Sequence, residues 1–311
     1  MIDPLAALGI TLVGSVLAGP VVVYGLERLP VWWQRPAAWL LILAAASAAV
    51  VADLLREGPV GGLFVYVLGV LPGLIAFLAF RTMVASALVS LLPMYFIITS
   101  LTRGWPVHTP ELPLDRAVSL QPAWMLVYGS LYVFIGVLPL MVVRQAELFR
   151  RALAGYLAVM LVAYAGFLAY PTLAPRPDVV PGDGFAAWSL RLIYQLDTPY
   201  GCFPSLHVAW AFVSALTCYR VHAGVGWTAA CWATLIAVST LYTKQHYVVD
   251  VIAGAAAAFV AYAIFIRTYA RDAVPPADRL AAPRRAWAVV GIFALGVGGL
   301  WLAYWTGIIV A

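Results

Sequence analysis

Ten apolar runs divide this chain, and their lengths decide what it can fold into. A helix needs about 17–25 predominantly apolar residues to cross the hydrocarbon of a bilayer. Runs of that order lie near residues 5–25, 37–55, 62–80, 83–102, 123–143, 151–170, 205–221, 225–243, 247–267 and 286–309. Only the neighbourhood of Arg81 separates the third from the fourth, and Pro72-Gly73 interrupts the third, so ten is the count to within one or two. Between the runs little is left for a soluble domain: 10% of the 311 residues are charged and 64% are hydrophobic, against roughly 25% charged in soluble domains. The expected fold is all-α, a polytopic membrane helical bundle of about ten transmembrane helices. The first run lacks the basic start and small-residue cleavage site of a signal peptide, so it is expected to stay as a membrane helix.

The net charge of +5 is not a nucleic-acid footprint. The basic residues sit in short loops between apolar runs, where they set orientation. With the N-terminus outside, twelve of the 18 basic residues fall on the inner side and six on the outer side. This orientation puts Arg176, His207, Lys244 and His246 together on the outer face of an integral membrane protein, expected in the plasma (cytoplasmic) membrane. The three cysteines, Cys202, Cys218 and Cys231, show neither metal spacing nor a disulfide framework.

Two outer loops are long. Residues 103–122 carry His108, Glu111, Asp115 and Arg116 among prolines and read as an irregular cap. Residues 171–203 open with repeated proline around Arg176, then place Phe185, Trp188, Leu192, Ile193 and Leu196 at helical spacing, with Arg191 and Gln195 elsewhere. That pattern predicts a short helix lying in the membrane interface. Residues 268–285, with Arg271, Arg279, Arg284 and Arg285, read as an inner loop.

The chemistry-bearing residues gather at the starts of two of the last helices. His246 and Asp250 are four apart, on one helical face, so the carboxylate can hold an imidazole N–H and leave the other ring nitrogen as a directed nucleophile or base. An aspartate in an apolar helix costs several kcal/mol unless it is paired, which argues against an incidental residue. Pro204-Ser205-Leu206-His207 begins another helix: serine is a good N-cap, the first-turn N–H groups point outward at an anion, and His207 is placed to protonate a leaving oxygen. Arg176 between two prolines offers a guanidinium fork to phosphate oxygens. Lys244, the only lysine in the chain, precedes His246 by two residues and also suits an interfacial anchor. A third cation, Arg191, suits either a phosphate contact or a solvated helix face.

These motifs resemble the type 2 phosphatidic acid phosphatase superfamily, whose signatures are K-x6-R-P, P-S-G-H and S-R-x5-H-x3-D. Arg176-Pro177 matches part of the first, Pro204-Ser205-Leu206-His207 the second, and Ser239 through His246 to Asp250 the third, in order and with the family's spacing. The resemblance covers roughly residues 123–267. Ala169, Leu206 and Thr240 stand where the family has lysine, glycine and arginine, so two phosphate-binding cations of the pattern are absent. The form Phe-Pro-Ser-Leu-His-Val followed by His-Tyr-Val-Val-Asp is similar to the inositol-phosphorylceramide synthase and inositolphosphotransferase-like branch.

The resemblance implies a six-helix phosphatase-type core. It divides the chain into N-terminal transmembrane helices of unknown role (1–102), a catalytic core (103–267), and an inner loop with a C-terminal transmembrane helix (268–311). It also implies a lipid phosphatase or phosphotransferase with a phosphohistidine at His246, oriented by Asp250, with His207 as acid and base. Arg176, Ser205, Lys244 and Ser239 are then the phosphate-binding residues, with no cofactor and no metal required. The expected partners are a membrane and a phospholipid or lipid-phosphate substrate, with no nucleic acid. The weakened cation set favours transfer of a phosphoalcohol head group, since a diester monoanion needs less compensation than a monoester dianion. The rivals are plain hydrolysis of a lipid phosphate or polyprenyl pyrophosphate, and a non-catalytic lipid transporter or binding protein.

Overall fold

The computed structural model describes residues 94–307, together with Leu88, Leu91 and Leu92. The first three apolar runs, and part of the fourth, lie outside the described residues. The chain divides into two compact units at Gly104 and Trp105. Of the first, the described part is helix α1 (Met94–Leu101) with a 3-10 turn after it. All that follows concerns the second unit.

That unit is helical, and among the described residues it contains no strand. It comprises α2 (Pro113–Ala117), α3 (Met125–Val142), α4 (Ala146–Ala169), α5 (Phe185–Leu196), α6 (Leu206–Val221), α7 (Ala223–Tyr242), α8 (Val248–Ala261) and α9 (Pro276–Thr306). Five stretches are long and apolar enough to span a membrane: Pro122–Val142, Ala146–Ala169, Ala223–Tyr242, Val248–Ile266 and Pro276–Thr306. The sixth, α6, is apolar but shorter. Each of the last six runs read from the sequence is thus a helix. The last one begins earlier than expected: Pro276 occupies the first turn of α9 and Asp278 also lies there, so half of the expected inner loop is helical. Proline fits that position because the missing N–H would have no intrahelical acceptor there.

Helix α6 sits at the centre, packed against α3, α4, α7 and α8. Its composition explains this place. Val208, Ala209, Ala211, Val213, Ser214, Ala215, Thr217 and Cys218 are all buried, and a helix that is small and apolar on every side belongs inside a bundle. The opposite case is α9, where Trp287, Leu295 and Trp305 are 73%, 79% and 72% exposed. An apolar surface of that kind suits hydrocarbon. Helix α5 forms where the periodicity predicts. It packs Ala187 and Leu190 with Val180 onto Met125 and Tyr128 at the start of α3. Leu196, expected on its apolar face, is 65% exposed.

Helices in lipid gain little from apolar transfer between neighbours, so close packing decides which pairs meet. One very close approach joins α6 to α8. A Cβ at Gly254 would lie 2.3 Å from the carbonyl oxygen of Ser205, so only glycine lets the two backbones touch there. At the same end of the bundle the loops before α3 and after α4 pair. His108 N–H donates to Pro171 O at 2.8 Å and Leu173 N–H to His108 O at 3.2 Å, and the His108 ring stacks on Tyr170 at 4.1 Å.

Candidate active site

Both histidines owe their positions to helix starts. Ser205 caps α6, its hydroxyl accepting from Val208 N–H at 3.3 Å. Pro204 lies just outside the helix, so His207 falls in the first turn. The strand of chain leading in is pinned by buried Thr172, whose Oγ1 accepts from the N–H groups of Cys202 and Phe203 at 2.8 and 3.0 Å. At the other start, Asp250 Oδ2 accepts from Tyr247 N–H at 2.9 Å, which caps α8 with the carboxylate that also faces His246. The neighbouring N–H, of Val248, donates to Asp115 Oδ1 at 2.8 Å. The two starts are tied directly: Ser205 N–H donates to Asp250 O at 3.0 Å, next to the Gly254 contact.

That tie brings the rings together. His207 Nδ1 and His246 Nε2 are 3.1 Å apart. On its other side, His246 Nδ1 lies 3.5 Å from Asp250 Oδ2, with the two side chains 5% and 0% exposed. The distance is long for a hydrogen bond, and neither His246 Nδ1 nor Asp250 Oδ1 has a hydrogen-bond partner among the described residues. His207 is half-buried, edge-to-face with Tyr128 at 5.7 Å between ring centres. His246 thus stands between the His207 ring and the Asp250 carboxylate. In neutral rings one nitrogen donates and the other accepts, so a proton on His246 Nδ1, facing the carboxylate, leaves the lone pair on Nε2.

The cations have other engagements. A guanidinium has five N–H donors, and all five of Arg176 are used within the protein. Nε and Nη2 donate to Gln245 Oε1 at 3.1 and 2.5 Å. Nη1 donates to the carbonyls of Tyr194 and Asp197 at 3.3 and 2.8 Å, and Nη2 also to Thr198 O at 3.1 Å. The group lies over the Tyr194 ring at 4.7 Å, and burial pushes that phenol up to about 12. Lys244 donates to the carbonyls of Asp115 and Val118 at 3.1 and 2.5 Å. Its backbone is left-handed, with φ 53°, the position after a helix end where glycine is usual. Ser239 is buried in α7 and donates to Ile236 O at 2.6 Å. Arg191 binds Gly182 O at 2.8 Å.

The structure therefore brings together His207, His246, Asp250 and the Ser205 cap. It places Arg176 in the loop scaffold beside Gln245, and Lys244 under the cap of residues 111–118. Three contributors were not singled out from the sequence. Asp115 was read as loop, yet it is buried and caps α8. Gln245 is 3% exposed, and its Nε2 has no partner among the described residues; since arginine only donates, its amide oxygen must face Arg176 and its NH2 must face away. Cys202 lies close enough to His246 and Asp250 for one ligand atom of each to fall within 4.8 Å of the others. Burial, and then the Asp250 charge, push its thiol up. The signals were adjacency to Pro204 and to His246, which fix distance along the chain but not contact.

The comparisons with known proteins cover the residues of this site. Residues 111–264, about half of the chain, match the model of the PAP2 superfamily. A PA-phosphatase related-family protein of Dictyostelium discoideum is 27% identical over 112 residues, covering 32% of this chain and 20% of that protein. The chain thus spans about a fifth of the length of that relative. No solved structure matches. Residues 111–264, which hold both histidines and Asp250, are thus similar to the PAP2 superfamily.

Proposed function

We propose that this protein is a membrane-embedded lipid phosphotransferase working through a phosphohistidine on His246, and that it moves a phosphoalcohol head group from one lipid to an alcohol acceptor. The observation that carries this reading is the direct contact of His207 Nδ1 with His246 Nε2 at 3.1 Å. It puts an acid against a nucleophile whose other nitrogen faces a buried carboxylate.

His246 Nε2 attacks phosphorus. Asp250 holds the Nδ1 proton and stabilises the positive ring that forms. Nucleophile, phosphorus and leaving oxygen lie on one axis in an in-line displacement. His207 must therefore swing from Nε2 to the leaving oxygen as substrate enters, and its side of the pair is the less buried one. It protonates the leaving oxygen, then takes the proton of the acceptor that attacks the phosphohistidine. The first-turn N–H groups of α6, its dipole and the Gln245 amide are suited to hold the non-bridging oxygens.

This donor set is mostly neutral, because Arg176 and Lys244 are engaged elsewhere. It suits a phosphodiester, with one negative charge, better than a monoester with two, and so favours head-group transfer over phosphate hydrolysis. The substrate head group belongs on the outer face, at the bundle end opposite the arginines Arg151, Arg220 and Arg279.

The test is product analysis after incubating purified protein with a mixed lipid extract, with and without added polyol acceptor. Product that requires the acceptor supports transfer, and product formed equally with water alone makes the protein a hydrolase. Substantial turnover in a folded His246→Ala protein removes the mechanism in both forms.

A further inference from the structure

On the Nδ1 side of His246, three side chains of different chemistry converge without satisfying one another. The ligand atoms of Cys202, His246 and Asp250 gather within 4.8 Å, and the three residues are 3%, 5% and 0% exposed. His207 engages Nε2, so the nitrogen turned toward the group is Nδ1. Both Nδ1 and Asp250 Oδ1 lack a hydrogen-bond partner among the described residues. Leaving a buried polar atom in that state is costly, and two such atoms belong to this trio. The thiol itself makes a weak contact with Pro199 O at 3.5 Å.

We propose that Cys202, His246 and Asp250 form a binding site for a soft divalent cation of the zinc class, and that its occupancy switches the enzyme off. Sulfur, imidazole nitrogen and carboxylate oxygen are zinc ligands at about 2.0–2.3 Å, which sets tetrahedral ligands roughly 3–4 Å from one another. A trio already within 4.8 Å closes on an ion by small side-chain rotations. Magnesium and calcium take all-oxygen sets, so the thiol selects against them.

The inhibition follows from where the His246 proton resides, and so rests on the phosphohistidine reading. A nucleophilic Nε2 needs its lone pair, which keeps the proton on Nδ1. A cation at Nδ1 takes the lone pair there, so the proton moves to Nε2 and the ring stays neutral but can no longer attack phosphorus. The Cys202 S–H bond breaks as the sulfur–metal bond forms, its proton passes to water, and Asp250 binds as the carboxylate it already is. Cation and phosphoryl group thus exclude each other without sharing an atom of the ring.

The experiment uses the purified full chain stripped with EDTA, titrated with Co2+ and with Zn2+, beside Cys202→Ser. The wild-type protein should develop a thiolate-to-cobalt charge-transfer band that the variant lacks. Zn2+ should inhibit wild-type turnover reversibly by EDTA, and the variant should need at least tenfold more Zn2+ for the same loss. Equal Zn2+ sensitivity, or the same cobalt spectrum in both proteins, overturns the site. Cys202→Ala gives the same comparison should serine prevent folding. If the metal-free wild-type protein turns over no lipid, the phosphohistidine reading fails while the cobalt spectrum still decides whether the cation binds.

Discussion

Two groups of polar side chains lie at the same end of this bundle, and they differ in how much bonding capacity they keep. Arg176 has all five N–H donors taken, and Lys244 clamps two carbonyls of the loop before α3. The pair His246 and Asp250, more deeply buried, keeps an unpartnered nitrogen and an unpartnered oxygen. Unused valence separates the groups. Each cation fixes loop groups that would otherwise be orphaned. The imidazole nitrogen and the carboxylate oxygen left without a partner have bonding capacity to spare.

The comparison breaks most visibly at His246. Replacing it with alanine should lower turnover by at least about 10³-fold, the scale of losing a covalent nucleophile, with the thermal unfolding curve unchanged. Arg176→Ala should do the reverse. Removing one partner from a buried charged network costs about 3–5 kcal/mol, so the variant should unfold at a clearly lower temperature. If Arg176→Ala instead raised KM with full thermal stability, Arg176 would be a phosphate ligand and the distinction would fail. Gly254→Ala tests the junction between the regions. Its methyl would press on Ser205 O at 2.3 Å, and over-packing costs about 1–3 kcal/mol; stability and turnover should fall together as the rings part. The smallest effect is expected at Asp115→Ala, which removes a cap from α8 and should cost about 1 kcal/mol, read as a modest shift in unfolding with KM unchanged.

Much of this was legible in the chain, and the boundary falls in a consistent place. Apolar run length located the last six helices, because a membrane span leaves a signal that no partner can erase. The four-residue step from His246 to Asp250 and the Ser205 cap were legible because helix geometry alone puts those atoms on one face or at one end. Engagement of the cations was not. Arg176 and Lys244 read as phosphate ligands by type and position, but whether a donor is free depends on carbonyls 18 to 129 residues away. Asp115 was hidden for the same reason, since its partner Val248 is 133 residues distant. Gly254 sits two turns past His246 in an alanine-rich helix, and nothing local marks it as the point where α6 crosses.

The most direct measurement is to incubate the purified protein with a lipid labelled in its phosphate, quench in base to preserve phosphohistidine, and map the label by peptide mass spectrometry. The label should lie on the peptide containing His246, vanish in His246→Ala, and be lost or trapped in His207→Ala according to which proton transfer limits each step. Continued turnover by wild-type protein with no label on His246 would contradict the account.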